Sequence, residues 1–190
     1  MAEFSRLPPP IKTDQRRCWD HKGREIACAG TGQDGDLDKG RPWPEPRFEV
    51  HGDWVLDRLT EHIWARNANL PEFPLTWEEG HAYVMAMNAA AALGRSDWKL
   101  PSRAALFSLV SHENINPALP GEHPFCDIFS GYYWTGTPVA RFPSQAWYVH
   151  LGGARVFKGM KHGSYMVWPV AEHVPEMSGS DISLHRSCME

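Results

Sequence analysis

Between Tyr132 and Trp168 four short aromatic segments follow one another: Tyr132-Tyr133-Trp134, Ala146-Trp147-Tyr148-Val149, Ala154-Arg155-Val156-Phe157 and Tyr165-Met166-Val167-Trp168. Gly136, Pro138, Gly152-Gly153, Gly159 and Gly163 separate them. Short aromatic and β-branched runs between glycine and proline breaks predict β-strands in an antiparallel meander. Upstream, Trp54-Val55-Leu56 and Ile63-Trp64 read as two more short strands around a polar turn.

Helices are expected only in the middle of the chain. Thr76 and Glu79 form a T-x-x-E capping box ahead of an alanine-rich run, with Trp77, Tyr83, Met87, Ala90 and Ala91 as its apolar face and Gly94 as its stop. Ser102 is the N-cap of a second helix running to about His112, which buries Leu106, Leu109 and Val110. Between them lies Asp97-Trp98-Lys99-Leu100-Pro101. Trp98 and Leu100 are expected to plug the core, and Pro101 sets the entry to the second helix. Trp98→Ala is expected to cost about 3–5 kcal/mol, as large core deletions do. Helices and strands segregated along the chain give an α+β fold class.

Composition excludes several functions. The formal net charge is −4, so no global field attracts nucleic acid. No apolar run is long enough to span a membrane. Met1 to Pro10 lacks a basic segment followed by an apolar one, so no secretory signal is read there. The proline-rich residues 1–17 read as an extended arm, 18–174 as the domain, and 175–190 as a polar tail. Cys18 and Cys28 form either a short disulfide-closed loop or two free thiols. Asp34, Asp36 and Asp38 alternate as in an EF-hand, but Lys39 stands where the loop glycine belongs, and Pro42 and Pro44 would break the exiting helix. The alternatives left are a looser Ca²⁺ site and a solvated turn held by Asx hydrogen bonds. Ten histidines are scattered without HExxH, and neither G-x-S-x-G nor a phosphate-binding glycine loop occurs, so no enzyme is read.

Five stretches follow in order: CAGTGQDGDLDKG with WPEPRF, HGDWVLDRLTEHIW, SDWKLPSRAALFSLV, NPALPGEHPF, and YYWTGT through AWYVHLGGARVFKG to SYMVWPV. Together they resemble the bacterial DUF1566, or Lcl C-terminal, family. The second is similar to the family's GDGTVTDNLTGLIW, the third to its DWRLPNVRELQSLV. The chain departs at Ala105, where the family has Glu, at Trp54, where it has Gly-Thr, and at Cys126, where it has a polar residue. The resemblance implies a C-type-lectin-like fold: two helices packed on a twisted antiparallel sheet with long loops and neighbouring termini. It also implies an extracellular or cell-surface setting and, for some members, binding of glycans such as sulfated polysaccharides.

The calcium-lectin motifs Glu-Pro-Asn, Gln-Pro-Asp and Trp-Asn-Asp are absent. A sugar site is therefore expected to use stacking and charge. Tyr132, Trp134, Trp147, Tyr148, Arg155, Lys158, Lys161 and Tyr165 have that composition: flat rings for pyranose faces, and cations for sulfate or carboxylate. Alternation along a strand requires about half of these aromatics to face the core. The reading is a non-catalytic module that recognises a glycan or protein surface through its C-terminal strand and loop face. The alternative is an accessory subunit of a larger bacterial assembly, in which a partner holds the arm and tail.

Overall fold

The computed structural model describes residues 10–172. It is a mixed α and β fold with three antiparallel sheets. Strands β1 (Cys18–Trp19) and β2 (Glu25–Ile26) form a small hairpin, followed by one helical turn, α1 (Asp34–Leu37). A four-stranded sheet has the order β3-β4-β5-β9, from β3 (Phe48–His51), β4 (Trp54–Asp57), β5 (His62–Ala65) and β9 (Val170–Glu172). The remaining sheet has the order β6-β7-β8, from β6 (Tyr132–Val139), β7 (Phe142–His150) and β8 (Arg155–Met160). Two longer helices, α2 (Trp77–Ala89) and α3 (Arg103–Ser108), lie between the sheets in sequence.

The capping box forms: Thr76 Oγ1 accepts from the Glu79 amide at 3.3 Å, and the Glu79 carboxylate accepts from the Thr76 amide at 2.8 Å. Helix α2 then stops at Ala89, short of Gly94, because Ala91 and Leu93 take left-handed backbone, φ 47° and 56°. The cause is tertiary. The Asn88 side chain donates to Trp98 O and accepts from Trp98 N, both at 2.8 Å, which folds the chain back beneath the helix. Ala90 and Ala91 are exposed, not apolar-face residues; Gly80, Val84 and Met87 are the buried ones. Helix α3 also ends early. Ser108 Oγ donates back to Ala105 O at 2.7 Å, and Ser111 Oγ accepts from the amides of Glu113 and Asn114, a turn that competes with further helix.

The last aromatic segment is not a strand of the meander. Tyr165 and Met166 make only isolated bridges, to Leu75 and Tyr133, and the chain then crosses to pair Val170–Glu172 with β5. Burial explains the departure. Val167 and Trp168 are fully buried between the sheets, where a continued hydrogen-bonded ladder would place alternate side chains in solvent. Trp168 packs on Trp64, Phe125 and Tyr133 at centroid distances of 5.4, 4.9 and 5.8 Å, and its Nε1 donates to Ala65 O at 2.8 Å. Trp98 and Leu100 join the same core.

Arg47 and Asp57 form a buried bidentate pair at 2.9 and 2.7 Å. Asp57 also accepts from Leu59 N and Thr60 Oγ1, which fixes the turn into β5. Arg47 donates to Ser108 O at 2.7 Å, tying the first sheet to α3, and lies over the rings of Trp43 and Phe48. From Pro10 the arm is tied to the domain: Ile11 bridges Arg41, and the Glu113 carboxylate accepts from the amides of Arg16 and Arg17 and from Arg17 Nε. Residues 1–9 of the arm and the expected 175–190 tail lie outside the described residues.

Candidate functional site

The register of β6, β7 and β8 sorts the aromatic residues. Residues paired directly across antiparallel strands share a face. Tyr132 pairs with His150, Trp134 with Tyr148, Tyr148 with Phe157, and His150 with Arg155. These side chains form one face. Tyr133, Trp147, Val149 and Lys158 form the other, through the pairs Tyr133–Val149 and Trp147–Lys158. Tyr133 and Val149 are buried there, while Trp147 lies half-buried near α3 under Arg103, 4.7 Å from its ring centroid.

On the first face the rings form a continuous cluster. Tyr148 lies 4.5 Å from Tyr165 and 5.8 Å from Phe157; Tyr132 lies 5.3 Å from Tyr148 and 5.4 Å from Tyr165. Trp134 is the buried floor, 4.6 Å from Tyr165, with its Nε1 donating to Leu75 O at 2.9 Å. Gly159 makes the arrangement possible, since a Cβ there would stand 2.8 Å from Tyr148 Cε1. Burial, then the Tyr165 hydroxyl beside it, push the Tyr148 phenol up to about 12. It stays neutral and able to donate. His150, 4.6 Å from Tyr132, is held below its ordinary value by burial and by Arg155, which favours the neutral ring.

An open cleft of about 820 Å³ adjoins this face at Tyr132 and Tyr165. Its far wall comes from two loops that the sequence places far apart. Ala68 N donates to Cys126 O at 2.9 Å, Cys126 N donates to Arg66 O at 3.0 Å, and Asn67 Nδ2 donates to Asp127 Oδ2 at 2.7 Å. Asn67 Oδ1 in turn accepts from the Asn69 amide, an Asx turn. Asn67, Asn69, Glu72 and Asp127 give the cleft its polar groups, and Phe129 adds a ring. Phe129 is fixed by its amide, which donates to the Tyr133 hydroxyl at 2.8 Å. None of these five was singled out from the sequence. The Asn-x-Asn spacing signals a turn, but nothing local signals its partner loop.

Of the expected binding set, Tyr132, Trp134, Tyr148, Arg155 and Tyr165 are brought together on one side, with Arg155 over Phe157 at 5.7 Å. Trp147 and Lys158 are not; they lie on the opposite face because their strand positions are odd in register to Tyr148 and Phe157. Lys161 lies over the Trp77 ring at 3.8 Å, at the α2 start. The cations therefore do not form one basic patch.

The acidic loop is organised by hydrogen bonds. Asp36 accepts from the amides of Gly30 and Gly32, Asp38 pairs with Lys12 at 2.5 Å, and Asp34 opens α1. Among the described residues no three His, Cys, Asp or Glu side chains are grouped to hold a metal ion, so Asp34, Asp36 and Asp38 do not converge as a Ca²⁺ ligand set. Cys18 and Cys28 are joined as a disulfide across the small hairpin. No helix among the described residues is long and apolar enough to cross a membrane.

Compared with known families, the chain matches the family model described as "Lcl C-terminal domain" over residues 53–171, which spans β4 to β9 and the whole cleft. Compared with curated proteins, it has no match.

Proposed function

We propose, for a chain that belongs to the Lcl C-terminal domain family, that it is a non-catalytic recognition module of C-type-lectin-like fold. It binds a glycan surface through the Tyr132–Tyr165 face and its cleft. One observation carries this reading: the exposed ring of Tyr132 and the half-buried ring of Tyr165 line an open cleft alongside amide and carboxylate groups. Rings that offer a flat apolar face, beside a few placed polar groups, suit the two sides of a pyranose.

Glycan-array profiling of the wild type and Tyr132→Ala tests it. Ligands that the wild type retains and Tyr132→Ala loses, at equal melting temperature, are the expected result. An unchanged profile in Tyr132→Ala removes the site from this face. A second reading, an accessory subunit of an assembly, is favoured by β8, which is the open edge of its sheet and exposes Phe157 and Met160. An open edge accepts a strand from a partner. Light scattering of the purified chain alone and mixed with its host extract separates the two.

A further inference from the structure

The charge of the cleft narrows its ligand. The charged groups that line it are Glu72 and Asp127, and no lysine or arginine does so. Two cations stand nearby and lie on rings that do not line the cleft: Lys161 over Trp77 and Arg155 over Phe157. A sulfated or carboxylated sugar would enter this cleft against two like charges.

The rings favour the opposite charge. Phe129 is 53% exposed and Tyr132 40%. The Phe129 ring packs against Gly131, where a Cβ would stand 2.1 Å from Phe129 Cε1, so the absent side chain is what lets the ring line the cleft together with Tyr132. Aromatic faces attract cations through their quadrupole. The space of about 820 Å³ is far larger than a bare ammonium fills and lies in the range that holds a ligand with a sizeable body. That body needs hydrogen-bonding groups. Asn69 and Ser164, which line the cleft, offer an amide and a hydroxyl for them.

We infer that this cleft selects a cationic amino sugar. Its pyranose face lies against Tyr132, its free ammonium is answered by Glu72 and Asp127, and its hydroxyls meet Asn69. This inference rests on the recognition reading above and names its ligand class.

Calorimetric titration of the full chain tests it, at a pH below the amine's pKa. The probes are a glucosamine tetramer, its fully N-acetylated counterpart, a heparin-derived tetrasaccharide and choline. The free-amine tetramer is expected to bind about tenfold more tightly than the acetylated one, because acetylation removes a charge-assisted contact. Glu72→Gln is expected to lower that affinity several-fold and to flatten its salt dependence. Glu72 makes no side-chain hydrogen bond that the fold uses, so this variant keeps the native melt. Asp127→Asn should act in the same direction.

Equal affinity for the two tetramers, or an affinity unchanged in Glu72→Gln, overturns the inference. If the acetylated tetramer binds as well and Tyr132→Ala abolishes that binding, the recognition face stands and charge selection falls. Tighter binding of the heparin fragment that survives Tyr132→Ala overturns both. Choline binding as tight as the free-amine tetramer overturns the sugar half.

Discussion

Tyr132 and Tyr133 are neighbours in the chain and belong to two different aromatic clusters. Tyr133 is fully buried against Trp168, whose other neighbours are Trp64 and Phe125. Tyr132 is 40% exposed and touches Tyr148, Tyr165 and Phe157. Ring contacts in the two clusters are alike: 5.8 Å for Tyr133–Trp168 and 5.3 Å for Tyr132–Tyr148, both with tilted or edge geometry. The polar ends differ. In the inner cluster the Tyr133 hydroxyl accepts from Phe129 N, and Trp168 Nε1 donates to Ala65 O. In the outer cluster the phenols of Tyr148 and Tyr165 face one another beside an open cleft. Ring geometry alone therefore does not separate a core from a binding face. Solvent access does.

The comparison breaks most sharply at Trp168. Trp168→Ala should cost about 3–5 kcal/mol in urea denaturation, since it leaves a cavity at the meeting point of two sheets. A loss below about 1 kcal/mol would mean that the inner cluster is no more structural than the outer one. Asp57→Ala should be of similar size, about 3–5 kcal/mol, because it strands the buried Arg47 guanidinium. Replacing both partners by apolar residues should recover part of that loss, and a double mutant no better than Asp57→Ala would show that the pair matters for its other hydrogen bonds.

Acid should weaken the inner framework and the outer face over the same interval. Burial is the first cause holding His62, His81, His123 and His150 below the ordinary 6.5. Each is harder to protonate when folded than when unfolded. Their contribution is complete above about 6.5 and is lost as pH falls from there toward their lower folded values. Asp14, raised by burial, works in the opposite sense, but it is one carboxylate against four histidines. A melting temperature flat above neutrality and declining below about pH 6.5 is expected; a melt that rises over that interval would contradict it.

The smallest stability effect belongs to the outer cluster. Tyr132→Ala should change unfolding free energy by about 1 kcal/mol or less, because the residue is 40% exposed and its partners are themselves at the surface of the sheet. Its binding effect should be large. A stability loss comparable to that of Trp168→Ala would make Tyr132 a core residue and end the distinction.

Much of this was legible in local sequence. The Thr76–Glu79 capping box, the Ser102 cap, the Trp98 plug and the strands around Trp54, Ile63, Tyr132, Ala146 and Arg155 depend on neighbours within a few residues. The end of α2 was not legible, because Asn88 acts through Trp98, ten residues on, whereas α3 ends at local bonds of Ser108 and Ser111 that the helical periodicity does not weigh. The binding face was half legible. Alternation divides Tyr132 from Tyr133 but does not say which is inside. That choice is made where Met166 bridges Tyr133 and Trp168 fills the space beneath.

The sequence by itself determined the chain's mixed α and β character, its family, and the set of rings from which a face is built. The tertiary structure alone decided which rings face water, that Trp147 and Lys158 face away, and that the cleft is acidic. Asn67 and Asp127 stand 60 residues apart and meet only when two loops pair. Local patterns encode periodicity, whereas a site's charge and opening are set by contacts whose cost in chain entropy is met only when the whole core forms.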